Sequence, residues 1–404
     1  MTGINIRQLS PVGKSAAGML PQPQHAKNQQ HRHNSQLVSH TLTTDAPSEP
    51  CSTTPKAAPA SQWNDPTLDL ITPGLVDSYN RTACDLRLSV TDRCNLRCEY
   101  CLPEEHTNWI HRDNVLTLPD YARLIRIALR LGVTDVRITG GEPLLRRDLE
   151  AIISTVHDAF IERTMTPRIA MTTNAIGLDK RLDGLINAGL ERINISLDSL
   201  DPARYAALAK RDRLASVMRT LAAIRDSQLW PVKLNTVIID ETSLKEIPQL
   251  ITFALVNGFQ WRAIEYMPIG PLARTAQWRP TSADIMSTIH QHFDIEPVAT
   301  RASAPAQRWK VRESSDHPGG IIGVISSMTT PFCSSCDRTR VSADGKVYSC
   351  LFSLAFTDLK SALRSGASDL EIAELWKGAM FNKPAGHKIL APLPLSATMS
   401  HIGG

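Results

Sequence analysis

Several things are scarce in this chain of 404 residues. No apolar run approaches the roughly 20 residues that a helix needs to cross a bilayer, so no membrane partner is expected. Excess charge is small. The 44 Lys and Arg against 40 Asp and Glu leave +4, which is not the strongly basic balance of a nucleic-acid binder, although local arginine clusters still suit a smaller anion. Eight cysteines in so long a chain are too few for a disulfide scaffold. Acidic residues are missing from the start of the chain, the first being Asp45. Arginine is scarce there and no amphipathic helix is evident, so the likeness to a transit peptide is loose. The expected compartment is the cytoplasm, or the mitochondrial matrix if this tail is a cleaved presequence.

Residues 1–78 are read as a disordered N-terminal extension, rich in Gln, His, Ser, Thr, Pro and Ala without an apolar period. Its histidines, His25, His31, His33 and His40, fit a solvated tract better than a metal site. Beyond it, hydrophobic content of 42% and charged content of 21% over the whole chain are ordinary for a globular protein. Strand-like runs fall at 86–90, 133–139, 168–174, 192–198, 232–239 and 262–269. Between them lie amphipathic helices: one from a Thr117-x-x-Asp120 capping box to Gly132, others near 148–163, 180–189, 212–228 and 243–257. Six βα units imply an α/β fold with a parallel sheet curved into an incomplete (β/α)6 barrel over 79–299.

The strands also alternate. Leu86, Leu88 and Val90, Val136 and Ile138, Ile193, Ile195 and Leu197, and Leu234 and Ile238 share one parity and suit a face under helices. Arg87 and Ser89, Arg137 and Thr139, Thr172 and Asn174, Asn194, Ser196 and Asp198, and Lys233 and Asn235 take the other. A packed barrel interior is apolar. Buried charges cost several kcal/mol each unless paired, so a polar interior predicts a cavity filled by a polar ligand. An open sheet with one solvated face is the competing arrangement.

Six of the cysteines form two groups. Cys94-x-x-x-Cys98-x-x-Cys101 follows the first strand. Cys333-x-x-Cys336 precedes a hairpin whose Ala-Asp-Gly-Lys turn folds Cys350 back toward the pair. Cubane iron–sulfur clusters usually take four thiolates. Three protein ligands leave one metal position open, as catalytic sites do. A structural zinc site is the alternative for the first group, and a zinc knuckle completed by Asp337 or a histidine for the second.

The CxxxCxxC spacing with Tyr100, and Gly140-Gly141-Glu142-Pro143 after the second strand, resemble the radical S-adenosylmethionine (SAM) superfamily. CxxC-x13-C, the Asp337-Arg338-Thr339-Arg340-Val341-Ser342 stretch and the Gly403-Gly404 end narrow the resemblance to the GTP 3′,8-cyclase family, over residues 79–404. The resemblance implies a radical SAM partial barrel over 79–299, closed by an auxiliary cluster segment over 300–404. It implies two 4Fe-4S clusters, on Cys94, Cys98 and Cys101 and on Cys333, Cys336 and Cys350. SAM would contact Tyr100, Gly141, Ser196 and Met267. GTP would contact Arg87, Arg137, Thr172, Lys233, Arg338, Thr339 and Arg340. Arg87 and the first three cysteines would be the catalytic set, and Gly403-Gly404 would reach into the site. The implied reaction converts GTP to a 3′,8-cyclised nucleotide in molybdenum-cofactor synthesis. A flavodoxin-like electron donor, a downstream cyclic pyranopterin monophosphate synthase and a homodimer are the implied partners. A peptide-modifying radical SAM enzyme and a zinc-stabilised binding module are the rival functions.

Overall fold

A computed structural model describes residues 74–274, 278–387 and 399–403. The expected disorder at 1–78 and the expected reach of Gly404 lie almost wholly outside the described residues.

The six alternating runs are strands β1 (Asp85–Ser89), β2 (Asp135–Thr139), β3 (Ile169–Thr173), β4 (Arg192–Ser196), β5 (Val232–Ile238) and β6 (Gln260–Glu265). Each pairs parallel with the next. Parallel neighbours need crossovers. Four come from helices α1 (Leu118–Arg130), α2 (Leu149–Glu162), α3 (Leu182–Asn187), and then α4 (Pro202–Ala209) with α5 (Leu214–Arg225). The last is α6 (Glu241–Val256). The capping box is present, with Thr117 N–H donating to the Asp120 carboxylate at 2.9 Å. Tyr121, Leu124, Ile125, Ala128 and Leu129 of α1 are buried, and Gly132, at φ +91°, follows the helix end in the left-handed region that glycine tolerates. The apolar parity is the outer face: Leu86, Leu88, Val136, Ile138, Ile193 and Ile195 are at most 1% exposed within one continuous core under the helices.

The chain beyond β6 enlarges the sheet at both edges. After α7 (Ser282–His292), β7 (Ile295–Val298) and β8 (Gln307–Val311) lead into β9 (Gly320–Ile325), which lies parallel to β6. The chain then crosses to the opposite edge, where β10 (Arg338–Val341) lies parallel to β1. The Asp-Gly hairpin joins it to β11 (Lys346–Tyr348), and β12 (Thr357–Asp358) adds outside. Three helices complete the chain, α8 (Leu359–Arg364), α9 (Asp369–Phe381) and α10 (Met399–Ile402). The order is β12-β11-β10-β1-β2-β3-β4-β5-β6-β9-β8-β7. Eight parallel strands form its middle, and the sheet is not closed by hydrogen bonds, since β7 and β12 end it. The C-terminal segment, expected as a cover over an open end, is thus also part of the sheet. The GIIGVI sequence of β9 hid this, because glycine is depleted in strands and the run lacks alternation. Gly323 sits opposite Arg262, where the missing side chain leaves room for the arginine.

Candidate active site

Registered residues share a face, and the inner face is polar. Arg340, Arg87 and Arg137 stand abreast on β10, β1 and β2. Thr172 faces Asn194, Ser196 faces Asn235 and Asn235 faces Arg262. Side chains from all eight parallel strands line a single cavity of about 370 Å³. Only a sheet curled about that space can do this, so the barrel-like curvature holds without closure.

The cavity is rich in cations. Arg87 donates to Asp85 at 2.9 Å. Burial alone would raise the Asp85 carboxyl, but Arg87, Arg338, Arg137 and Arg301 outweigh it and bring it to about 2. One carboxylate does not satisfy them all. Arg137 is pushed well down by burial and by Arg87, and its Nε and one terminal nitrogen are buried without a hydrogen-bond partner. The Arg87 Nε is in the same state. Orphaned buried guanidinium groups are costly, and a polyanion in the cavity relieves them.

The first thiol group sits on the loop after β1. Its backbone is pinned from two sides. Gly141 N–H donates to the Thr91 carbonyl at 2.7 Å and Glu142 N–H to the Arg93 carbonyl at 2.8 Å. A Cβ at Gly141 would lie 2.3 Å from the Arg93 oxygen. The glycine pair therefore serves first to let the GGEP turn approach this loop, a role the sequence did not suggest. On the other side Arg97 N–H and Glu99 N–H donate to the carbonyls of Ala209 and Leu208 at the end of α4. Glu142 is 1% exposed and ties the turn to β3, accepting from Thr173 Oγ1 and Asn174 N–H at 2.7 Å each.

Acids and phenols surround these thiols. Tyr100 donates to Asp198 at 2.7 Å. Burial, then Glu142, raises Cys94 to about 11. Burial with Cys94 and Asp198 raises Cys101 to about 12. Burial with Asp198 and the two neighbouring thiols also raises Cys98 well above its usual value. Bare thiols here hold their protons, and a positively charged centre is what turns such a trio into thiolates. No three His, Cys, Asp or Glu side chains among the described residues close around one metal ion. Three thiols on one loop suit a cluster, in which each thiolate binds a different iron.

The second group lies across the same cavity in a basic setting. Burial raises Cys350. Burial also works to raise Cys336, but Lys383 and Arg338 overcome it and draw that thiol below its usual value. Arg338 donates to the Cys336 sulfur at 3.7 Å and to the Ser303 carbonyl at 3.0 Å, and stacks on Phe332 at 4.5 Å. Arg340 donates to the Gly403 carbonyl at 2.6 Å. Gly403, at φ +79°, packs where a Cβ would lie 2.7 Å from Thr139 Oγ1. Ile402 beside it is buried with Ile269, Tyr348 and Leu351. Gly403 thus packs over β1 and β2, while Met399 and Ser400 of the same turn line the cavity.

All six grouped cysteines line the cavity, with Tyr100, Gly141, Ser196, Met267, Arg87, Arg137, Thr172, Arg338 and Arg340. Two expected substrate residues do not. Thr339 lies between two inward arginines and so faces outward, fully buried, its hydroxyl accepting from the Trp376 indole at 2.9 Å. Strand alternation alone forbids it the cavity. Lys233 is buried in the row Thr172–Asn194–Lys233–Gln260, and the lining stops at Asn194. Sequence reasoning missed Arg262, whose parity with Ile264 and register with Asn235 place it inward, and the anchoring roles of Glu142 and Asp198.

A model of the Radical SAM superfamily matches residues 88–254 and one of Molybdenum Cofactor Synthesis C matches 259–389. Among solved structures, Streptococcus suis SuiB bound to S-adenosylmethionine aligns over 74% of this chain and 68% of its own, with TM-score 0.53 at 16% identity. A histidine-tagged anSMEcpe with bound AdoMet aligns over 76% and 79%, with TM-score 0.50 at 12% identity. These likenesses concern the fold. Fold and thiol loop together define a radical SAM protein. More closely, the chain is 48% identical over 335 residues to the GTP 3′,8-cyclase of Mycolicibacterium smegmatis, covering 82% of this chain and 92% of the relative. It is 44% identical over 342 residues to that of Corynebacterium glutamicum, covering 82% and 89%. The chain belongs to the GTP 3′,8-cyclase family.

Proposed function

We propose that this protein is a radical SAM lyase that converts GTP to (8S)-3′,8-cyclo-7,8-dihydroguanosine 5′-triphosphate, the first step of molybdopterin synthesis. One observation carries the reading: a single cavity has a thiol trio at either side and, between them, buried arginines with unpartnered nitrogens.

In this reading Cys94, Cys98 and Cys101 hold the first 4Fe-4S cluster, and Cys333, Cys336 and Cys350 the second. A cluster held by the first three thiolates, with SAM beside it, would supply radical chemistry at the ribose 3′ position. The rest falls to the chain's own side chains. Tyr100, Gly141, Ser196 and Met267 frame the SAM subsite, and the acids Glu142 and Asp198 suit its ammonium and sulfonium charges. Arg87, Arg137, Arg338 and Arg340, with Thr172, take the triphosphate and fix the ribose by convergent charged hydrogen bonds, as a short-lived radical demands. Lys233 and Thr339 are outside this set. Gly403 and Ile402 exclude water.

A flavodoxin-like electron donor, cyclic pyranopterin monophosphate synthase as consumer of the product, and a homodimer complete the proposal. No described helix is long and apolar enough to cross a membrane, and the relatives are bacterial, which supports a cytoplasmic location. The test is anaerobic reconstitution with iron, sulfide, SAM and GTP. Formation of 5′-deoxyadenosine together with the cyclised nucleotide is expected. Deoxyadenosine without that nucleotide, or product formed from a peptide instead, would overturn the reading.

A further inference from the structure

Besides Lys233, two buried cations take no part in the cavity lining. Arg81, 8% exposed, spends its guanidinium on the main chain. It donates to the Cys333 carbonyl at 2.6 Å, to Ala385 at 2.9 Å and to Pro384 at 2.6 Å, while Nε is held by Asp77 at 2.6 Å. Lys383, 3% exposed, donates to the carbonyl of Cys336 at 3.0 Å and of Arg338 at 2.8 Å, and its charge helps draw the Cys336 thiol down. Both cysteine carbonyls of the Cys333–Cys336 turn are therefore capped by cations from elsewhere in the chain, 252 and 47 residues away. The first trio lacks this arrangement: the Cys94 carbonyl accepts from Arg97, three residues on in the same loop.

We infer that Arg81 and Lys383 are positioning residues of the second cluster, a cationic cradle that fixes the Cys333–Cys336 turn by its carbonyls and tunes the centre held there. The inference rests on reading Cys333, Cys336 and Cys350 as cluster ligands. Burying two cations is expensive unless their donors are met, and carbonyls meet them here. A turn held at both cysteines keeps its sulfurs in place while the third ligand, Cys350, arrives just past a separate strand, β11. Positive charge beside a cluster favours its reduced, more negative state and so raises its potential.

The experiment uses full-length protein reconstituted anaerobically, with iron and acid-labile sulfide counted per chain and each centre followed by electron paramagnetic resonance in a redox titration. Wild type should hold about eight irons, two cubane clusters. Arg81→Gln should lose about half of the iron and sulfide while the first centre's signal persists, and Arg81→Lys, which keeps charge without the fork, should lose nearly as much. Lys383→Met should keep its iron but shift the second centre to lower potential, and Lys383→Arg should restore it. Full iron and unchanged potentials in all variants would overturn the inference, as would loss of both clusters together in the Arg81 variants. A wild type with four irons would instead sink the reading of the second trio itself.

Discussion

The two thiol trios face each other across one cavity in opposite electrostatic surroundings. Around Cys94, Cys98 and Cys101 stand Glu142, Asp198 and Tyr100, and the thiols are raised by burial and by these acids. Around Cys333, Cys336 and Cys350 stand Arg338, Arg340 and Lys383, and Cys336 is drawn below its usual value. The difference reflects what each end must hold beside a cluster of the same kind. SAM carries a sulfonium and an ammonium, which acids favour. A nucleoside triphosphate is a polyanion, which arginines favour. On the proposed reading, the field across the cavity favours SAM at the first trio and the triphosphate toward the arginines.

The comparison predicts, first, an asymmetry between the trios. Cys98→Ala should abolish SAM cleavage. Cys333→Ala should retain cleavage to 5′-deoxyadenosine yet reduce cyclised nucleotide by about a hundredfold or more, the scale of a misplaced substrate. Chromatography of both products from one reaction reads the split, and robust cyclisation by Cys333→Ala would break the comparison. Next in size is Arg137→Met. Loss of charged hydrogen bonds worth about 2 kcal/mol corresponds to roughly thirtyfold weaker GTP, with SAM affinity unchanged. Calorimetry with each ligand decides this, and equal weakening of both would mean a general fold defect.

A comparable effect on stability belongs to Asp85. Its pKa falls from 3.8 to about 2 on folding, so folding favours the charged form. The contribution is present above the unfolded value and is lost as pH falls through the folded one. It amounts to about 2 kcal/mol at 1.36 kcal/mol per unit. Denaturant titrations should show wild type ahead of Asp85→Asn by that amount near neutrality, and the gap should close as pH falls toward 2. A gap independent of pH would refute the arginine pairing. The smallest effect is that of Thr339→Val, which removes the acceptor of the Trp376 bond. It should cost about 1 kcal/mol of stability and leave the KM for GTP unchanged, in contrast to its neighbours Arg338 and Arg340.

Much of the architecture was legible because alternation is a local property. Leu86 and Leu88 against Arg87 and Ser89 announce a strand with two different faces whatever it pairs with. The cysteine spacings were legible because loop ligands lie close in sequence. The outward side chain of Thr339 was there to read, since alternation with Arg338 and Arg340 turns it away from the cavity. Lys233 is a different case. Its parity matches that of Asn235, but the depth at which the cavity ends depends on how β4, β5 and β6 are staggered. The parallel placements of β9 and β10 were hidden for the same reason, as neither strand's partner is near it in the chain.

The amino-acid sequence by itself determined the six βα units, the polar and apolar faces of their strands, and the two sets of three cysteines, since each follows from spacing over a few residues. Only the tertiary structure decided that both sets open onto one cavity. It also decided that the GGEP turn clamps the first thiol loop, and that Arg81 and Lys383 grip the second. Those contacts join residues up to 252 positions apart, and such pairings are fixed by how the sheet curls and which edges its last strands find.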